Sequence, residues 1–257
     1  MSSLDGLVII VAGGAGGVGS VTSKILADRG AKVVVADIND QRATKVANEI
    51  TQAGGSAVAY HLDLAKEESV RDVIEKSAQN FGQIDGLVNM AAQTRPDIIN
   101  KDGPVDNMSP DVWRETMDVN LIGFALTTKY TLPHFLKNSG GSIVNISSGA
   151  AHAGEPTRPA YGASKAAIHA LTRHTARKWG PQGIRANALM IGLIATEQVK
   201  ELYANQPYLQ EAIKSCPLQR MAEPKEIATV VAFLLSTDSS YVTGQAWAID
   251  GGYQFRD

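Results

Sequence analysis

An apolar run at residues 7–12 leads into seven residues of which five are glycine, Gly13-Gly14-Ala15-Gly16-Gly17-Val18-Gly19, and a helical pattern begins at once. Few folds accommodate such a junction. Glycines admit backbone conformations closed to other residues and let the main chain approach a ligand closely. A helix starting directly behind them offers unpaired N–H groups and the positive end of its dipole, which suits a phosphate. A strand, a glycine loop and a helix in that order open a parallel α/β sheet.

The remaining sequence continues the alternation. Strand-length apolar runs fall near residues 7–11, 32–36, 57–61, 86–88, 142–146, 185–189 and 246–249. Amphipathic stretches of helical length separate them, as in a parallel sheet covered on both faces. The longest predicted helix spans about residues 111–137 and holds Pro133, where a bend is expected. A later helix covers about 224–236, and the segment 191–221 before it is the longest insertion. Ligands in open α/β sheets bind beyond the carboxyl ends of the strands, so 191–221 is expected to act as a lid or substrate loop. No repeat or linker divides the chain, and residues 1–257 are read as a single domain.

Composition narrows the function classes. Lys and Arg number 24 against 26 Asp and Glu, a net charge of −2 that argues against a nucleic-acid surface. One cysteine, Cys216, excludes an internal disulfide and a multi-cysteine metal site, and the five histidines show no metal-ligand spacing. The first residues lack the basic region of a signal peptide, and the run 7–12 is far too short to cross a bilayer. The expectation is a soluble cytoplasmic protein with no metal.

Asp37 closes the second predicted strand, 18 residues after Gly19. A carboxylate there accepts hydrogen bonds from adenosine ribose hydroxyls and repels a 2′-phosphate. Neither the glycine loop nor Ile38 and Asn39 supplies a compensating cation, so NAD is favoured over NADP. Asp63-Leu64 follows the third strand and Asn89-Met90-Ala91-Ala92 the fourth. Both fit the cofactor edge, and each alone also fits a helix cap or turn.

The chemistry points to Tyr161-Gly162-Ala163-Ser164-Lys165. A tyrosine and a lysine four residues apart share one helix face. The phenol has an ordinary pKa of about 10, which an ammonium group beside it would lower. Pro159 suits the first helical position, placing Tyr161 in the first turn, where the dipole also favours an anion. The pair reads as a general acid/base working near neutral pH.

Together these features resemble the short-chain dehydrogenase/reductase family over almost the whole chain. Gly13, Gly17 and Gly19 match its Gly-x-x-x-Gly-x-Gly loop, and Tyr161 and Lys165 its catalytic pair. Ser148, thirteen residues before Tyr161, matches the catalytic serine in preference to Ser147, and Asn120 matches the fourth catalytic residue. The resemblance implies a Rossmann-type doubly wound sheet of seven parallel strands in the order 3-2-1-4-5-6-7. It further implies cofactor contacts from Gly13, Gly17, Val18, Gly19, Asp37, Ile38, Asp63, Leu64, Asn89, Ala91, Tyr161, Lys165, Gly192, Ile194 and Thr196. Three departures stand out: Ala12 replaces a usual Thr, Ala92 a usual Gly, and Ile191 a usual Pro. The first two remove a brace between neighbouring loops, and the third frees the start of the substrate loop.

The implied reaction is NAD-dependent interconversion of a secondary alcohol and a ketone. Tyr161 exchanges the proton, Ser148 holds the substrate oxygen, Lys165 orients the ribose, and Asn120 holds a water in a relay from Lys165. A 3-oxoacyl-type ketoreductase and a non-catalytic nucleotide-binding protein are the alternatives. Arg95, His152, Glu155 and Arg158 fall near the expected mouth, with solvated loop residues as the plainer reading. The lid brings Leu193, Leu202, Tyr203, Tyr208, Leu209 and Met221. By resemblance the protein forms a homotetramer through helices near 111–137 and 160–178, with Ala166, Ala167 and Ala170 forming either a close-packing surface or a core stripe.

Overall fold

The computed structural model describes residues 3–197, 199–201 and 207–254. Its seven strands are β1 (Val8–Ala12), β2 (Lys32–Asp37), β3 (Ser56–His61), β4 (Gly86–Asn89), β5 (Gly141–Ser148), β6 (Ile184–Ile191) and β7 (Ala246–Ile249). They form one parallel sheet in the order β3-β2-β1-β4-β5-β6-β7, as expected. The principal helices are α1 (Gly17–Asp28), α2 (Asp40–Gln52), α3 (Glu67–Phe81), α4 (Pro110–Met117), α5 (Gly123–Lys137), α6 (Pro159–Trp179), α7 (Pro207–Ser215) and α8 (Pro224–Leu235).

Alternate residues of each strand feed two separate cores, because successive side chains point to opposite faces. Ile9, Val11, Val33 and Val35 pack with Leu26 of α1, Val46 of α2 and Val231 of α8. Ile10, Ala12, Val34 and Ala36 pack on the other face with Val73 of α3, Phe124 of α5 and Ile168 of α6. Burial on both sides explains why β1 and β2 read as unbroken Val/Ile runs. Ends are set by ordinary caps: Asn39 accepts from Arg42 N–H at 3.0 Å, and Glu223 and Glu226 form a reciprocal capping box at α8. No helix among the described residues is long and apolar enough to cross a membrane.

The structure differs from the sequence reading in three places that matter for the site. β2, β4, β5 and β6 each run past their expected ends, so Asp37, Asn89, Ser147, Ser148 and Ile191 are paired strand residues. The expected long helix is interrupted by a π turn, Asp118–Ile122, between α4 and α5, whereas Pro133 lies within α5 without ending it. Ile191 does not loosen the substrate loop. It pairs with Ser148 on one side and Ile249 on the other, and Gly192 N–H donates to Ile249 O at 3.1 Å.

Beyond Gly192 the insertion returns to the sheet edge through a bridge between Ile194 and Ala222. Ala195 N–H donates to Ala222 O at 2.8 Å and Ala222 N–H to Leu193 O at 3.0 Å. Leu202, Tyr203 and the side chain of Tyr208 lie outside the described residues. On α6, Ala166 and Ala167 are half-buried and Ala170 is exposed, which rules out the core-stripe alternative for these alanines.

Candidate active site

The carboxyl ends of the strands meet the glycine loop. Gly13 has φ +86°, and a Cβ built on it would lie 2.6 Å from Ala91 N. One on Gly19 would lie 1.9 Å from Gly13 O, and one on Gly17 2.7 Å from Thr196 Cγ2. The loop is therefore folded on itself and against two other predicted cofactor residues. Helix α1 opens from Gly16 with no side-chain cap and no acidic residue in its first turn. Its first N–H groups and dipole end are thus left for an anion. Val18 packs on the neighbouring core.

Asp37 ends β2 with its carboxylate fixed from two sides: Oδ2 accepts from Ala15 N–H and Oδ1 from Asn39 N–H, both at 3.0 Å. It ties the glycine loop to the second strand and leaves lone pairs free for hydroxyl donors. Beside it Ile38 is 63% exposed, an apolar surface next to the carboxylate. Asp63 accepts from Ala65 N–H at 3.0 Å and pairs with Lys66 at 3.3 Å, while Leu64 is buried against Gly123. A backbone cradle, an uncapped helix start, a carboxylate at the end of β2 and an exposed apolar flank fit a nicotinamide dinucleotide.

The loss of the Thr at Ala12 is met by the main chain. Ala12 O accepts from Met90 N–H at 2.9 Å and from Ala91 N–H at 3.0 Å, joining the two loops without a hydroxyl. Asn89 is fully buried, and its side chain accepts from Thr127 Oγ1 at 2.7 Å and donates to Asn145 Oδ1 at 2.9 Å. Asn145 in turn donates to Thr172 at 3.0 Å. This polar thread crosses from α5 through β4 and β5 to α6, so the Asn89 side chain is an internal brace and does not face the cleft.

At the end of β5, Ser148 hydrogen-bonds the Tyr161 hydroxyl and accepts from Ala150 N–H at 3.2 Å. Ser147 faces the opposite way: it donates to Lys165 O and meets His169 Nε2, both at 2.8 Å. That geometry turns Ser148, which the spacing favours, toward the tyrosine and Ser147 away from it. Lys165 is 2% exposed, and its Nζ donates to Ile146 O at 2.9 Å and lies 5.7 Å from the Tyr161 ring centroid.

The charge states correct one expectation. Burial pulls the Lys165 ammonium down to about 7. Burial also pushes the Tyr161 phenol up, against lesser downward effects of the Ser148 hydrogen bond and the Arg158 charge; Glu155 adds to the rise. The expected lowering of Tyr161 by Lys165 is absent. The ammonium is turned to a carbonyl and is itself held weakly charged by desolvation.

Asn120 sits at the centre of the π turn, fully buried. Its Oδ1 accepts from Gln93 N–H at 2.7 Å, and its Nδ2 donates to Ser164 Oγ at 3.0 Å. Ser164 donates to Tyr161 O at 2.7 Å, so Asn120 reaches the tyrosine's backbone rather than Lys165. A π turn is a frequent device at functional positions, and the sequence carries no visible mark of it.

Sequence reasoning also missed Asp102. This buried aspartate, from the loop after β4, accepts from Ala160 N–H at 3.1 Å and Tyr161 N–H at 2.9 Å. It caps α6 from 58 residues away. Placed between Lys101 and Gly103-Pro104, it resembles a turn residue. Each of the mouth residues has a partner: Arg95 pairs with Asp97 at 2.7 Å and Glu115 at 3.2 Å, Arg158 with Glu155, and His152 with His169 at 3.3 Å.

The family described as enoyl-(acyl carrier protein) reductase matches residues 13–254. The chain is 35% identical over 249 residues to the 3-oxoacyl-[acyl-carrier-protein] reductase FabG of Thermotoga maritima, covering 97% of this chain and 98% of that one. The chain belongs to the short-chain dehydrogenase/reductase family. Within it, the chain is similar to the 2,5-dichloro-2,5-cyclohexadiene-1,4-diol dehydrogenase of Sphingobium indicum, at 36% identity over 98% of this chain and 99% of that one. Among solved structures, a gluconate 5-dehydrogenase from Burkholderia cenocepacia in complex with NADP and tartrate superposes with a TM-score of 0.90 at 31% identity, covering 98% of this chain and 96% of that one. As a member of this family the protein is an oxidoreductase, and the family binds a nicotinamide cofactor.

Proposed function

We propose that the protein is an NAD-dependent dehydrogenase interconverting a secondary alcohol, of the cyclic type, with its ketone. The observation that carries this reading is the cluster of Ser148, Tyr161 and Lys165 at the carboxyl end of β5, on the same edge of the sheet as the glycine loop after β1. The dinucleotide, when bound, supplies the hydride acceptor or donor. Tyr161 takes the hydroxyl proton in oxidation and returns it in reduction. Ser148 holds the substrate oxygen against Tyr161, and Lys165, freed from Ile146 O, holds the nicotinamide ribose and passes the proton on. The Asn120 side chain is committed to Gln93 and Ser164, so the relay from Lys165 falls to its main chain. Gly192, Ile194 and Thr196 border the carboxamide end, and Thr196 already abuts Gly17.

The cyclic class is supported by the diol dehydrogenase relative and by the pairing of the mouth's Arg95 and Arg158 with carboxylates. A 3-oxoacyl reductase is the second reading, supported by the similarity to FabG. Asp37 weighs against it where NADPH is the reductant. The gluconate dehydrogenase neighbour binds NADP, which makes Asp37 the residue to test. Replacing it tests both readings: Asp37→Ala is expected to raise the KM for NAD+ about 10- to 100-fold by removing a charged acceptor. The same change should narrow the preference over NADP+, with kcat little affected. Unchanged KM values for both cofactors would refute the ribose role. A homotetramer built on α5 and α6 accompanies this reading, supported by exposed Ile122 and Leu136 and by the outward alanines of α6.

A further inference from the structure

The residue immediately before helix α6 has a conformation that its sequence does not favour. Arg158 has φ +62° and ψ 44°, the left-handed region, although it carries a side chain and precedes a proline. Such a residue is held in place only when its surroundings over-determine it, and these cases cluster at functional positions. Two main-chain bonds hold it: Arg158 N–H donates to Asp102 O and Gly162 N–H to Arg158 O, each at 2.9 Å. Asp102 simultaneously caps Ala160 and Tyr161 through its carboxylate. The side chain is fixed as well. Glu155 accepts from both Nε and Nη2, and the guanidinium carbon lies 5.4 Å from the Tyr161 ring centroid.

We infer that Arg158 is a positioning residue for Tyr161, its main chain held by Asp102 and its guanidinium held by Glu155 against the phenol ring. This rests on Tyr161 being the acid/base of the proposed reaction. The other groups facing the phenol have different roles. Lys165 lies across the ring and donates to a carbonyl, Ser148 bonds the hydroxyl, and the Asp102 carboxylate is bound to the helix N–H groups. His152, on the turn after Ser148, pairs with His169. Glu155 and Arg158 therefore form an opposed pair beside one phenol, the arginine favouring its charged form and the glutamate opposing it.

The opposed signs supply the test. The pH dependence of kcat/KM for cyclohexanol oxidation with NAD+ is measured for the parent, Arg158→Gln and Glu155→Gln. Arg158→Gln should move the midpoint to higher pH and lower kcat/KM at pH 7 about fivefold, with recovery in alkaline buffer. Glu155→Gln should move it to lower pH. Arg158→Gly, whose backbone tolerates the left-handed conformation, should fold and follow Arg158→Gln, while Arg158→Lys should restore most of the parent profile. A purely structural role would shift both glutamine variants in the same direction or leave both midpoints unmoved, and either result overturns the proposal. Tyrosinate absorbance of the cofactor-free proteins, taken as a difference against Tyr161→Phe, reads the same ordering without a substrate. If no alcohol is turned over, the functional reading fails. The absorbance order still decides the role of Arg158: Glu155→Gln ionising first and Arg158→Gln last supports it, and coincident curves contradict it.

Discussion

Tyr161→Phe should lower kcat on the order of 10³-fold while NADH binding, followed by fluorescence, stays within about twofold of the parent. The change removes only the hydroxyl. Phenylalanine keeps the ring packed beside Arg158 and Lys165, and the Asp102 cap acts on the backbone, so α6 should form as before. Ser148 keeps its bond from Ala150 N–H but loses its partner for the substrate oxygen. It is a poor proton acceptor by itself, so residual turnover should carry no Tyr-like pH dependence. Activity within tenfold of the parent would assign the proton transfer to another group.

Lys165→Met should show the opposite signs for activity and stability. Activity falls by about 10²- to 10³-fold, since the ammonium that orients the ribose and passes the proton on is gone. Stability of the cofactor-free protein rises, by roughly 2–4 kcal/mol near pH 7, less the lost bond to Ile146 O. The sign follows from proton binding. The lysine pKa is 10.5 in the unfolded chain and about 7 when folded, so between these values the unfolded chain holds more protons. Parent stability therefore increases with pH through this window, and the burial penalty is fully present below about pH 7. The advantage of Lys165→Met over the parent should be largest at or below pH 7 and shrink toward pH 10, as read by urea unfolding. A pH-independent gap would mean that Lys165 is charged in the fold. Active sites that store such a cost for function are a recognised trade against stability.

The parallel sheet was legible because its strands are buried on both faces, which leaves apolar runs little else to be. Their ends were not. Asp37, Asn89, Ser148 and Ile191 pair with neighbours after the apolar pattern has stopped or changed character, and pairing in a parallel sheet is a tertiary property. The glycine loop and the Tyr161/Lys165 pair were legible because local geometry demands those residue types at those spacings. Whether Ser147 or Ser148 faces the tyrosine depended on strand parity, which His169 and the Lys165 carbonyl settle by taking Ser147. Asp102 and the π turn carrying Asn120 had no local signal, because each acts on a partner tens of residues distant. The Tyr161 charge balance is hidden in the sequence for the same reason. Helical spacing put Lys165 on the right face, and only the fold shows its nitrogen turned to Ile146 O.

The most direct measurement is initial-rate turnover of a panel of cyclic secondary alcohols, with NAD+ and NADP+ in parallel, followed by the absorbance of the reduced cofactor. Turnover of at least one member, with kcat/KM for NAD+ about 100-fold or more above that for NADP+, is the predicted result. A preference for NADP+ would contradict the reading of Asp37. No turnover of any alcohol, with 3-oxoacyl thioesters reduced instead, would contradict the proposed substrate class.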